Sequence, residues 1–179
     1  MRSLSDLIFY VLKMSKKLVS KQLLRYGTWN YGKDKLNIDE NLVNQLKQNF
    51  LHSPFAPVTR GHIDQEEMEK NPYLIVSKNI KGLEIKDDGL YASMELDDQD
   101  LEKYNDVSVS IEPNYENHEN GKDMGWILKH VALVTNPFIK GLKPFTELQE
   151  SHNILINLSE IKDMDDKTTK DIEAKDSIS

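Results

Sequence analysis

Tyr104-Asn-Asp-Val-Ser-Val-Ser-Ile-Glu-Pro113 is the stretch on which the fold reading turns. Val107, Val109 and Ile111 alternate with Ser108, Ser110 and Glu112. That is the two-residue period of a strand, with β-branched side chains on one face and two hydroxyls on the other. The wet face of a half-buried strand normally carries charge. Two serines are small enough to stand in a cleft instead. By itself the pattern also suits an ordinary strand in which serine is a polar filler.

Working outward, Leu90, Ala92, Met94 and Leu96 alternate with Tyr91, Ser93 and Glu95, and Asp87-Asp88-Gly89 precedes them. This predicts a hairpin with arms at 80–85 and 90–96. Trp126 to Val134 predicts the last clear strand, ended by Pro137 and Gly141. Gln22 to Trp29 predicts a first strand, turned by Asn30-Tyr-Gly32, and Tyr73 to Val76 a further short one. Asp39 is a suitable N-cap for a helix running to about Phe50, with Leu42, Val43, Leu46 and Phe50 on one face. Asp64-Gln-Glu-Glu67 resembles a capping box opening a short acidic turn, and 97–104 a short polar helix or loop. Strand–helix alternation is not sustained, so antiparallel connections should dominate. The expected fold class is α+β: a small antiparallel β-barrel flanked by helices.

A chain of 179 residues suits one domain with extensions. Residues 1–20 read as a basic N-terminal extension, with Met14 a possible alternative start, and 21–150 as the domain. Residues 151–179 read as an acidic tail or linker too poor in apolar residues to order itself. Residues 1–35 hold eight Lys/Arg and two Asp/Glu, leaving 15 and 28 of the totals of 23 and 30 for the rest. The net charge of -7 argues against nucleic acid as a partner of the whole surface. Absence of cysteine excludes disulfides, thiol catalysis and cysteine-held zinc. No apolar run approaches the roughly 18 residues of a membrane span. The segment Leu7–Leu12 is short and lacks a clear downstream cleavage site, so neither a membrane partner nor a signal peptide is expected.

Of the five histidines, His118 and His152 fall in polar stretches and His52 follows the helix end. His62 sits after Gly61, which allows close backbone approach, and His130 lies in the strand between Leu128 and Ala132. If Glu112 faces Trp126 across an antiparallel pair, Ser108 faces His130, with Cβ atoms about 4.5–5.5 Å apart. His62 arriving over that face would complete a nucleophile, a base and an orienting group. The simpler alternative is a strand histidine satisfied by a neighbour and an idle loop imidazole. A metal-dependent hydrolase using His62-Ile-Asp64 with His130 or His118 is another reading, though closely spaced ligands are lacking.

Gly61-His62-Ile-Asp64, Tyr104…Val107-Ser108-Val-Ser110 and Leu128-Lys-His130-Val-Ala-Leu133 resemble, in the same order, segments of the tailed-phage prohead maturation proteases. They are similar also to the herpesvirus assemblins, especially at Lys-His-Val-Ala-Leu. With Leu-Leu-Arg-Tyr-Gly-Thr-Trp before them and Asn-Pro-Phe-Ile-Lys-Gly-Leu after, the resemblance spans roughly residues 22–145. It implies an assemblin-like fold and a serine endopeptidase needing no cofactor or metal. It implies Ser108 as nucleophile, His62 as general base and His130 as third member. Many phage relatives carry an acidic residue at the third position. Assemblins carry paired arginines where this chain has Phe138, Ile139 and Lys140, so the oxyanion donors are not named by the resemblance; backbone N–H groups would serve. The implied substrates are the scaffold protein, the major capsid protein and the chain itself, inside a procapsid in the bacterial host cytoplasm, with a homo-oligomer possible. A catalytically inactive scaffold or assembly module is the alternative.

Overall fold

The computed structural model describes residues 16–149, apart from 53, 54 and 118. Most of the expected 1–20 extension, His118, His152 and the expected tail therefore lie outside the described residues. The first compact unit ends at Leu148.

The architecture is mixed α+β with strands predominating. In chain order come β1 (Lys17–Arg25), β2 (Gly27–Tyr31), β3 (Asp34–Ile38), α1 (Glu40–His52), β4 (Val58–Arg60), α2 (Gln65–Lys70) and β5 (Ile75–Ser77). Then follow β6 (Gly82–Lys86), β7 (Gly89–Leu96), α3 (Asp98–Lys103), β8 (Asp106–Glu112), β9 (Glu116–Asn117), β10 (Lys122–Asp123), β11 (Ile127–Val134) and β12 (Thr146–Glu147). Two four-stranded sheets run in the orders β12-β1-β7-β6 and β5-β4-β11-β8; β2-β3 and β9-β10 are separate hairpins. Among the described residues no helix is long and apolar enough to cross a membrane.

Two expectations need correction. β1 begins at Lys17, inside the stretch read as an extension, and its Val19 is buried in the core. The single strand expected over 22–29 is two, because Gly27 has a φ of 143° and turns the chain into the β2-β3 hairpin. β3 itself alternates Leu36 and Ile38 with Lys35 and Asn37, a pattern too short to stand out in the sequence. Antiparallel pairing dominates as expected, with one exception: β4 runs parallel to β11, although its other partner, β5, is antiparallel.

Asp39 caps α1 as expected, its Oδ1 accepting from the Leu42 N–H at 2.9 Å. Leu42, Val43, Leu46 and Phe50 are buried on one face. They meet Leu24, Leu90 and Met94 of one sheet and Val58, Val107 and Leu133 of the other in one core. Full burial of each such side chain contributes about 1.5–3 kcal/mol. At Gly89, an added Cβ would stand 2.0 Å from the Leu24 carbonyl oxygen, where β1 bulges between Gln22 and Leu24.

β1 also buries two polar residues. Lys21 Nζ lies 2.8 Å from Asp106 Oδ1, at the start of β8, with the Lys21 side chain fully inaccessible. It also donates to the Lys143 carbonyl and stands 5.2 Å from the centre of the Phe145 ring. Gln22 donates to the Asp88 carbonyl and accepts from the Lys143 N–H. Removing one partner of a buried ion pair leaves the other uncompensated, at about 3–5 kcal/mol. Lys21→Met should lower the stability from urea unfolding by that order, whereas Lys81→Met, which breaks an exposed pair with Glu95, should cost less than ~1 kcal/mol. Equal losses in the two variants would show that the buried pair does not hold the sheets together.

Candidate functional site

The Gly61-His62 turn is built from backbone outward. Gly61 has a φ of 82°, which a side-chain-bearing residue resists. Its N–H donates to the Leu133 carbonyl at 3.1 Å, and the buried Thr59 hydroxyl donates to the Gly61 carbonyl at 2.8 Å. The turn brings His62 back over β11. Its Nδ1 lies 3.1 Å from Nε2 of His130, with ring centres 5.3 Å apart and planes inclined at 60°. The two histidines expected to meet are therefore in contact.

The serines stand differently from expectation. In the register observed, His130 is opposite Ser110, and Ser108 is opposite Ala132. The pairing assumed from sequence, Glu112 with Trp126 and Ser108 with His130, is displaced along β11 by one residue at Glu112 and by two at Ser108. Two causes combine. Gln45 of α1 accepts from the Trp126 N–H at 3.2 Å, and Asn49 donates to the Met124 and Trp126 carbonyls. That holds Trp126 out of the ladder, so Glu112 pairs with Ile127. A bulge between Leu128 and His130 then adds the second residue. The bulge keeps His130 on the serine face.

Ser108, Ser110 and His62 line a cleft of about 780 Å³. Five consecutive residues, Val107 to Ile111, contribute to it. Side chains of one face alone would alternate, so the backbone edge of β8 borders the space. β8 is hydrogen-bonded to β11 on its other side and is the outer strand of its sheet. Leu36 from the β2-β3 hairpin, Trp126 and Ile139 supply apolar walls. Leu36 and its hairpin were not foreseen as part of the site. His130 does not line the cleft, and it is 7% exposed, behind His62. Among the described residues neither serine hydroxyl is hydrogen-bonded to His62.

Burial lowers the pKa of both rings. His130 falls to about 4, chiefly by desolvation, with smaller contributions from His62 and Lys129. His62 is lowered too, by desolvation; the residue is exposed as a whole, but its Nδ1 faces His130. Asp64 is committed elsewhere, its Oδ1 capping α2 through the Glu67 N–H at 2.8 Å. Among the described residues no three His, Asp or Glu side chains are grouped to hold a metal ion. His52 is exposed and bonded to the Gln48 carbonyl of its own helix.

Compared with protein-family models and with curated proteins, the chain matches none.

The histidine pair makes stability depend on pH. In the unfolded chain a histidine takes up its proton near pH 6.5. In the folded protein His130 resists protonation down to about 4. Between these values the unfolded state binds more protons, so stability falls as pH falls. The melting temperature should drop from pH 6.5 toward pH 4, and His130→Gln should flatten that slope. An unchanged slope in the variant would remove His130 as its source.

Proposed function

We propose that this chain is a serine endopeptidase of the capsid-maturation kind, with Ser108 as nucleophile, His62 as general base and His130 as the group that orients it. The observation that carries the reading is the His62–His130 contact at the mouth of a cleft bordered by the serine-bearing strand.

For His62 Nε2 to accept a proton, its Nδ1 must carry one. Nδ1–H then donates to His130 Nε2, which must be unprotonated. A His130 held neutral to about pH 4 meets that requirement throughout the neutral range. The choice of Ser108 over Ser110 rests on the resemblance of Val107-Ser108-Val-Ser110 to the maturation proteases. Thr59, Ala132 and Ser108 form one row across β4, β11 and β8. In that register it is Ser110 that stands opposite His130, while Ser108 stands one pair further along the same face, opposite Ala132. An extended peptide could lie along the free edge of β8, which would place its carbonyl near the serine.

In the proposed reaction the Ser108 oxygen attacks the scissile carbonyl carbon while its proton passes to His62 Nε2. The tetrahedral intermediate collapses as His62 returns that proton to the leaving amine, and an acyl-enzyme remains. Water, deprotonated by His62, then releases the acid and regenerates the serine. A neutral imidazole stabilises the imidazolium less than a carboxylate would, so turnover should be modest. The proposal extends to a barrel-like closure of the two four-stranded sheets around their shared core. It also extends to scaffold and major capsid protein as substrates, inside a procapsid in the host cytoplasm.

A serine-directed fluorophosphonate should label Ser108. Ser108→Ala should abolish cleavage, and Ser110→Ala should keep most of it. Label on Ser110, or full processing by Ser108→Ala in co-expression with scaffold and capsid proteins, would refute the assignment. Burial lowers the His62 pKa, so kcat/KM should fall on the acid side at a pH below 6.5. His130→Ala should lose much of the rate but less than His62→Ala, and His52→Ala should match the parent.

A further inference from the structure

His62 follows the end of β4, and β8 carries Ser108, yet the two strands do not pair. β11 lies between them in the sheet. A second connection joins them without passing through β11. Arg60 is the last residue of β4, two residues before His62. Its Nε donates to Asp100 Oδ1 at 2.7 Å and its Nη2 to Asp100 Oδ2 at 2.9 Å. Its Nη1 donates to the Tyr73 carbonyl. The Asp100 side chain is 3% exposed. Asp100 belongs to α3, where Asp97 caps its N–H at 2.8 Å and its own carbonyl receives the Tyr104 N–H. α3 ends at Lys103 and β8 begins at Asp106. One bidentate ion pair thus fastens the segment leading into His62 to the helix leading into Ser108.

We propose that Arg60 and Asp100 are positioning residues that set where the His62 ring stands relative to His130 and the serine edge of β8. The bidentate fork fixes direction as well as distance, which a single hydrogen bond does not. Gly61, next in the chain, is held by its N–H on the Leu133 carbonyl and by the Thr59 hydroxyl, and the fork adds a side-chain anchor on the N-terminal side of that turn. The effect on turnover rests on the endopeptidase reading; the effect on the histidine pair does not.

The test uses the full chain with Asp100→Asn and Arg60→Lys, which keep size or charge but remove the paired charge-assisted fork. Lys81→Met is the control, and unfolding curves establish that each variant is folded. Imidazole NMR follows the His62 and His130 rings across pH. In both clamp variants the apparent His130 pKa should rise by more than about one unit toward the ordinary 6.5, as the covering His62 ring moves away. Peptide cleavage by the same variants should lose roughly 10- to 100-fold in kcat with KM changed less than about 2-fold, as expected for misplacement of a reacting group. Ring titrations identical to the parent's in both folded variants would overturn the clamp, whatever the activity. An inactive parent whose ring titrations still shift in the variants would refute the endopeptidase reading and leave the clamp standing.

Discussion

The buried charge of Lys21 constrains more of this structure than any other group described. An ammonium without water is tolerated when a counter-charge and further acceptors surround it. Here Asp106, the Lys143 carbonyl and the Phe145 ring do so. They come from two distant parts of the chain. Asp106 begins the serine strand in one sheet, Lys21 lies in the middle of β1 in the other, and residues 143–145 lead into β12. Satisfying one cation thereby fixes the start of β8 against β1 and brings the C-terminal segment back along the first sheet. Gln22 beside it reinforces the same closure through the Asp88 carbonyl and the Lys143 N–H.

The cleft follows from how side chains of α1 treat the loop before β11. Gln45 and Asn49 bond the backbone at Met124 and Trp126. Backbone groups satisfied by a helix are not available to a ladder. Trp126 therefore becomes a wall of the cleft instead of the first rung of β11. Together with the bulge between Leu128 and His130, this sets the row in which Ser108 stands beside Ala132.

The histidine pair shows how a fold can suit a ring to one protonation state without an acidic partner. His130 lies in a central strand behind His62, where burial disfavours its cation. His62 covers it and in turn loses some solvent. A carboxylate in place of His130 would favour the charged form of His62; the imidazole does not. Burial thus biases both rings toward their neutral forms. It also makes acid conditions unfavourable to the fold itself, since protonating the pair requires solvent to reach it.

Much of the secondary structure was legible in the sequence because it is encoded locally. The alternation at 90–96 and 106–112, the helical spacing of Leu42, Val43, Leu46 and Phe50, and the caps at Asp39 and Asp64 each involve residues within a turn or two of one another. The candidate histidines and serines were legible too, as residue types in suggestive places. Their mutual arrangement was not. The bulge before His130, the hold of α1 on Trp126 and the parallel pairing of β4 with β11 depend on contacts between residues far apart in the chain. The strand reading failed at Gly27, where one glycine divides β1 from β2, and at Lys17, where a basic start conceals a core strand. The sequence by itself determined which residues alternate, cap and turn. Only the tertiary structure decided which serine faces which histidine, because register is set by where distant backbone groups find their hydrogen-bond partners.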